Sequence, residues 1–373
     1  YSDEDLDALD IIQSADTMII VHPDYEPRKI VRTSDTAWSI STLGLTNIPQ
    51  FDFNDAFSPT PTSEVQTITF TNQNTSDRYR LGLEGILTED IIFSSNQTTN
   101  AESIQVALQA LPNTANSGIS VSATSISVYV VTFAGDSAKD WGLLTGTPVN
   151  TELASFEVSS VRNVTGVSRS EDVWGSGRGW PQSATFHEGR LWFGGSPSRP
   201  STLWGSVVND FFNFDAGRAR DDELVDVTLD TDQVNSIQSL FSNRALQIFT
   251  TGQEFYVPTS PITPGNISVV PQTNFGTKKV RPITIDGRTL IIQRTGKAIR
   301  EFVQSDSVSN IYNSNSISLL ASHLVVNPYK MAALRGDTQV DANYAYFVNS
   351  DGTLLVYNVL GAEGVIGFTL WAI

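Results

Sequence analysis

GWPQSATFHEGRLWFGGSPSRPSTLWGS, residues 179–206, is the stretch on which the fold turns. His187, Glu188 and Arg190 stand together in it, among serines and tryptophans, and two readings compete. In the first, His187 and Glu188 do acid–base work. In the second, SATF and LWFGG are strands, HEGR is the turn between them, and its polar residues are there because turns demand them. Adjacent residues on a strand point to opposite faces, so His187 and Glu188 make a poor dyad. The rest of the chain favours the second reading. Asp286-Gly287-Arg288 and Ser242-Asn243-Arg244 repeat the turn and its arginine but not the histidine. A feature that recurs at intervals belongs to architecture before it belongs to catalysis.

The recurrence extends to whole units. ADTMIIVHPDYEPRKIV starts at Ala15, GRLWFGGSPSRPSTLWGSV at Gly189, NRALQIFTTGQEFYV at Asn243, GRTLIIQRTGKAIREFV at Gly287 and NYAYFVNSDGTLLVYNV at Asn343. Each reads as an apolar strand, a polar turn and a second apolar strand. From Gly189 onward the starts lie 54, 44 and 56 residues apart, of the order of the roughly 40–50 residues in a propeller blade. One twisted hairpin cannot bury both of its faces; blades stacked about an axis can, and they leave only short edges. The sequence therefore predicts a mainly β protein, a β-propeller built of repeated hairpin blades.

The first two units start 174 residues apart, so something is inserted between them. Residues 59–166 have their own texture, rich in Thr, Ser and Asn. EVQTITFTNQ, RYRLGLEGI, EDIIFSS, GISVSAT and SVYVVTFAG read as strands. NAESIQVALQALPN, Asn100–Asn113, reads as a helix capped by Asn100 or Thr99 and ended by Pro112. This predicts a small inserted α+β module at 59–166, projecting from a propeller made of 1–58 and 167–373. FSPTPTS and NVTGVSRSEDVWGSGRG flank it as linkers. The acidic opening DEDLDALDIIQ is expected to form a second, short helix.

Composition removes several function classes. There is no cysteine, so disulfides, thiolate nucleophiles and cysteine-ligated zinc are excluded. His22, His187 and His323 share no metal-ligand spacing. The net charge of −17 argues against a surface that grips nucleic acid, because grip comes from cations neutralising phosphates. It is compatible with DNA sliding past. No apolar run is long enough for a membrane span. The chain opens on Tyr1 with an acidic stretch, unlike a secretory signal, and ends in the strand-like GVIGFTLWAI; both ends suggest a piece of a longer polypeptide.

Other candidates have plainer readings. The acidic run from Asp221 to Gln233 lacks EF-hand spacing and is expected to be a solvated or subunit-facing edge. GSGRG, Gly175–Gly179, has no GK[ST] after it and is expected to be a flexible joint rather than a phosphate loop. Trp180, Trp192 and Trp204 could form a sugar platform, but such residues more often fill space between elements. The sequons at Asn163 and Asn266 are read as chance. No catalytic, cofactor-binding or metal residue is assigned.

Two stretches resemble the markers of a known family. QSADTMIIVHPDYEPRKIVR (Gln13–Arg32), followed by Trp38, and GWPQSATFHEGRLWFGGSPSRPSTLWGSVVNDFFNF (Gly179–Phe214) are similar, in that order and with an insert between, to the tail nozzle proteins of short-tailed phages, also called tail tubular protein B. The insert resembles a small module that recurs in phage structural proteins. The family's chains are usually longer. The resemblance implies a structural virion protein of the phage tail, assembled in the host cytoplasm. It implies a homo-hexameric ring that joins the tail adaptor protein and helps anchor fibres or spikes. DNA would transit its lumen without specific binding. It implies no enzyme activity, no cofactor and no membrane insertion. A carbohydrate-binding or glycan-degrading propeller acting on host surface polysaccharide is the alternative.

Overall fold

The computed structural model describes residues 1–114, 118–135, 138–150, 156–217, 220–231, 235–306, 311–336, 343–360 and 365–372. The chain divides into two compact units, Tyr1–Pro49 with Asp172–Ile373, and Gln50–Glu171. The insert is therefore larger than expected at both ends. Thr62 and Val167 exchange backbone hydrogen bonds of 3.0 and 2.9 Å, which ties both flanks into the insert's own base. Free linkers do not zip in this way.

The first unit is a β-propeller with, among the described residues, five four-stranded antiparallel blades, each a meander in sequence order. Blade I comprises Asp10–Ser14, Thr17–His22, Tyr25–Ser34 and Ala37–Thr42. Blade II comprises Ser183–His187, Arg190–Gly194, Thr202–Gly205 and Val225–Thr228. Blade III comprises Ile237–Ser242, Leu246–Thr250, Glu254–Val257 and Val270–Thr273. Blade IV comprises Ile283–Ile285, Arg288–Ile292, Ile299–Asp306 and Ile311–Ser316. Blade V comprises Lys330–Leu334, Asn343–Val348, Thr353–Leu360 and Val365–Ala372. All five repeats found in the sequence are the second and third strands of a blade.

The first strands are innermost. Asp10 of blade I accepts from the Ser183 hydroxyl (2.7 Å) and the Ala184 amide (3.0 Å) of blade II. Ser183 Oγ accepts in turn from the Leu240 amide of blade III at 2.8 Å. Arg281, just before blade IV, donates to Asp10 at 2.6 Å. Four apolar seams hold the blades face to face. Ile12, Ile19 and Val21 of blade I meet Leu191, Phe193 and Trp204 of blade II. Trp192 and Leu203 meet Ile237, Leu240 and Ile248 of blade III. Phe249 and Tyr256 meet Ile291, Phe302 and Tyr312 of blade IV. Leu290 and Ile292 meet Ala345, Phe347 and Leu355 of blade V. No such cluster joins blades V and I among the described residues. There the contact is polar, with Lys330 Nζ donating to the Leu6 carbonyl at 3.1 Å.

These seams explain the run Arg190-Leu191-Trp192-Phe193-Gly194, every residue of which is buried. A strand covered on both faces has no polar side, so alternation disappears while period-2 facing persists. Gly194 marks the closest approach: a Cβ there would lie 2.7 Å from Leu240 Cγ.

Two expectations near the termini of elements are corrected. The acidic opening forms only a 3-10 turn, Glu4–Asp7, and DIIQ within it is the first strand of blade I. GSGRG is no flexible joint: it lies inside the propeller unit as a closed loop, with Gly175 and Gly179 bonded both ways at 3.0 and 2.8 Å. The preceding Trp174 packs edge-on against Phe193, Trp204 and Phe214.

Among the described residues, the second unit has two sheets of three or more strands and one helix. Gly118–Ser125, Val128–Ala134, Glu64–Thr71 and Glu157–Val164 form one sheet in that order; Thr145–Asn150, Arg78–Leu83 and Ile86–Leu87 form the other. The helix α1, Gln97–Gln109, starts three residues before the expected position. Its cap is Asn96, whose Oδ1 accepts from the amides of Thr98 (2.9 Å) and Thr99 (3.3 Å). Asn100 is a buried anchor instead, donating to the Tyr129 hydroxyl at 3.0 Å. Ile104, Leu108 and Leu111 complete the core with Tyr79, Leu81 and Phe133.

Candidate functional site

The hairpin tip at His187 is a two-residue turn. Glu188 (φ 46°) and Gly189 (φ 71°) occupy the left-handed region, and His187 pairs with Arg190 across it. Positive φ at both central residues defines a type I′ turn, which matches the twist of its strands and favours glycine second. Asp286-Gly287 repeats it, with φ 48° and 73°. The strands thus reach one residue further than expected on each side.

Each polar residue of the tip holds a neighbour. His187 Nδ1 lies 2.8 Å from Ser242 Oγ, at the end of the equivalent strand of blade III. Burial lowers the His187 pKa, with Glu188 opposing the shift, so the ring is neutral at neutral pH. The Glu188 carboxylate does not pair with it. Glu188 Oε1 accepts from Ser260 Oγ at 2.5 Å and Oε2 from the Ile262 amide at 2.8 Å. Arg190 is buried and donates to four carbonyls, those of Ser206, Asp221, Asp222 and Glu223. This arrangement fixes loops: both carboxylate oxygens of Glu188 and the guanidinium of Arg190 are taken up by backbone and hydroxyl groups, and His187 holds Ser242 through Nδ1.

The repeated arginine is not repeated in role. Arg288, at the register position of Arg190, is half-buried and pairs with Glu301 at 2.8 Å. Arg244 lies within a longer turn and donates to Gln304 at 3.3 Å. What recurs is a polar bond from one tip to the next. His187 reaches Ser242, Asn243 Nδ2 reaches the Gly287 carbonyl at 3.2 Å, and Asn343 Nδ2 reaches Asp286 Oδ1 at 2.7 Å. These links run from blade II to blade V.

Trp192 and Trp204 are fully buried in the seams on opposite sides of blade II, and Trp180 is half-buried. They offer no stacking platform. The acidic run lies on a solvated edge, as expected: Asp221, Asp222, Asp226 and Asp230 are exposed, and Val225–Thr228 is the outer strand of blade II, anchored through its apolar residues and backbone. Leu224 and Val225 are buried, Asp226 accepts from Trp204 Nε1 at 3.2 Å, and the Asp221–Glu223 carbonyls hold Arg190. Asp232 and Gln233 lie outside the described residues. His22 is buried beside Tyr1 and Tyr25 and accepts from the Asp24 amide at 3.0 Å. Among the described residues, no group of three or more His, Asp and Glu is placed to hold a metal, and no helix is long and apolar enough to cross a membrane.

The sequence reading missed the axis. A cavity of about 70 Å³ opens there, lined by Asp10, Gln238, Ser239, Lys279, Arg281 and Lys330 among others. Its residues come from separate blades, so no local spacing betrays it. The single hint is the basic KKVRP, Lys278–Pro282, in an acidic chain.

A second feature lies at the outer strands. Trp38 (60 % exposed) and Ile40 (64 %) project from the last strand of blade I, and Ile366 (56 %) and Trp371 (52 %) from the last strand of blade V. Blades I and V flank the one junction without an apolar cluster among the described residues.

The blades and the insert define a β-propeller protein carrying an α+β module. No family model matches the chain, and no curated protein matches it. Among solved structures it is similar to a putative 6-phosphogluconolactonase from Bacteroides fragilis, at 12 % identity over 83 % of each chain and a TM-score of 0.34. It is also similar to the NanB sialidase from Streptococcus pneumoniae, at 13 % identity over 98 % of this chain and 61 % of that one, TM-score 0.34. The apo AztD of Citrobacter koseri matches at 11 % identity over 83 % and 82 %, TM-score 0.29. Likeness this loose carries no argument about function, and the propeller rests on its own strand registers.

Proposed function

We propose that this chain is a structural subunit of the tail nozzle of a short-tailed phage. It assembles as a homo-hexameric ring, joins the tail adaptor and fibres or spikes, and lets DNA pass without specific binding. The observation that carries the reading is where the two marker stretches fall. Gln13–Arg32 contains the middle hairpin of blade I, and Gly179–Phe214 contains three strands of blade II. Far apart in sequence, they share one core, in which Ile19 and Val21 pack with Leu191, Phe193, Trp204 and Phe214. That the two marker stretches build one continuous piece of structure is what a shared fold would leave behind. A structural role also suits the tip residues, whose polar atoms are engaged in holding blades and loops.

The exposed Trp38, Ile40 and Trp371 supply apolar surface for neighbouring subunits. A contact between different patches generates a ring when its rotation closes. Native mass spectrometry and electron microscopy of the purified chain, and its addition to nozzle-deficient tails, test the reading. The expected result is a closed ring and completed tails. Trp38→Glu is expected to leave a folded chain that no longer forms the ring. A stable monomer at high concentration that never completes a tail would overturn the proposal.

A further inference from the structure

The outer strand of a blade presents unpaired backbone groups to solvent, a template for any further strand, and proteins blunt such edges with shortness, charge or proline. Blades II, III and IV blunt theirs. Val225–Thr228 is four residues long and carries Asp226, and Val270–Thr273 is four residues long and carries Pro271. Ile311–Ser316 is polar, with Asn313, Ser314 and Asn315.

Blades I and V leave theirs open. Ala37–Thr42 reads AWSIST, and all six of its residues are exposed. Val365–Ala372 reads VIGFTLWA, with Ile366, Leu370 and Trp371 exposed. Neither strand holds a charge or a proline, and each is the last of its sheet, with one edge unpaired among the described residues. The direction of the open groups in blade I follows from its register. The Leu43 amide donates to the Pro27 carbonyl at 3.0 Å, and Ser41 and Ser39 stand opposite Lys29 and Val31. Backbone groups alternate in direction along an antiparallel strand, so those of Ser41 and Ser39 turn into the blade. Those of Thr42, Ile40 and Trp38 turn outward, and the open donors and acceptors run beside two large exposed apolar side chains.

We propose that Ala37–Thr42 of one copy and Val365–Ala372 of a second copy pair as neighbouring β-strands, joining blade I of one subunit to blade V of the next in a continuous sheet. Within the chain the two edges are not paired with each other, so each finds the other in another copy. Both are uncharged, so their pairing buries no ion. The edges differ, and a contact between different surfaces joins copies head to tail, as a ring requires. Strand addition supplies main-chain hydrogen bonds, to which Trp38, Ile40 and Trp371 add cross-strand apolar contact. The pairing rests on the ring proposed above and names the surface by which it forms.

The chain has no cysteine, so an introduced thiol has no native competitor. Ser39→Cys and Ile40→Cys chains, one for each face of the strand, are mixed under mild oxidation with Thr369→Cys and Leu370→Cys chains. A disulfide-linked dimer is expected from at least one mixed pair, and none when Asn313→Cys, on the outer strand of blade IV, replaces the blade I variants. Ile40→Pro removes an outward donor that the blade itself does not use. It is expected to raise the protein concentration at half-assembly about tenfold or more, with the thermal unfolding of the monomer little changed. Ile40→Lys is read in its place if the proline variant does not fold. Closed rings that give no blade I to blade V disulfide, or that survive the Ile40 substitutions, overturn the strand pairing and leave the ring standing. A chain that stays monomeric overturns both. Cross-linked open filaments support the pairing and overturn the closed ring.

Discussion

Arg190 offers the sharpest test of the claim that the His187 hairpin is architecture. Its guanidinium holds four carbonyls, two of them at 2.6 Å. A hydrogen bond to a charged group is worth about 1.5–3 kcal/mol, and each buried acceptor left unmade costs about 1–3 kcal/mol. These terms do not add fully, and the Asp221 and Asp222 residues are exposed enough for water to replace part of what is lost. Arg190→Met keeps much of the apolar volume and is expected to cost about 3 kcal/mol. In a domain of some 150–250 residues each kcal/mol lowers Tm by roughly 2–4 °C, so the loss should be about 6–12 °C. Arg288→Met is the control: it removes a half-exposed arginine at the same register position, which makes a single ion pair, with the largely buried Glu301, and is expected to cost about 1–2 kcal/mol. Thermal unfolding by circular dichroism, with urea titration as a second measure, reads both. If the two variants lose stability equally, Arg190 is not the structural clamp described here.

Two further outcomes follow from buried polar groups. His22 and His187 both have pKa values lowered by burial, so the unfolded chain takes up protons first as pH falls. Their contribution to stability is complete above the unfolded value of about 6.5 and declines below it, toward the lowered folded values; urea midpoints at pH 7.5 and 5.5 should differ less in His22→Gln and His187→Gln than in the unmodified chain, and equal differences would refute the assignment. Asp10→Asn should cost about 2–3 kcal/mol, less than a fully buried pair because Arg281 is partly exposed. A double-mutant cycle with Arg281→Met should show the two losses to be coupled, and simple additivity would count against the axial clamp.

The second and third strands of every blade were legible in the sequence because both are apolar and a turn separates them. The first and fourth mostly were not, SATF in blade II and the strand-like GVIGFTLWAI at the end of blade V being the exceptions. Val270–Thr273, VPQT, and Val225–Thr228, inside an acidic run, have little apolar content, since outer strands face solvent on one edge. The helix was legible and its cap was not, because Asn96 and Asn100 are both good caps and only the buried Tyr129 hydroxyl decides which one is taken inside. For the tip, the sequence showed that a turn was present. It could not show what Arg190 does, because its partners are backbone carbonyls 16 to 33 residues downstream, which carry no side-chain signature. The axial cavity was illegible for the same reason on a larger scale, its wall being drawn from several blades.

The tip-to-tip bonds also explain why the polar residues there vary from blade to blade. A seam between blades needs apolar area, which many residue combinations supply; it does not by itself fix how far one blade slides along the next. In the three seams from blade II to blade V, one directional bond between hairpin tips sets that register. His187 with Ser242, Asn243 with Gly287 and Asp286 with Asn343 are three different chemistries performing one geometric task. A catalytic group could not be exchanged in this way, because its reaction would dictate the residue type, whereas a register pin needs only a donor, an acceptor and the right reach. His187 is thus one member of a set, and the question it poses concerns the alignment of blades II and III.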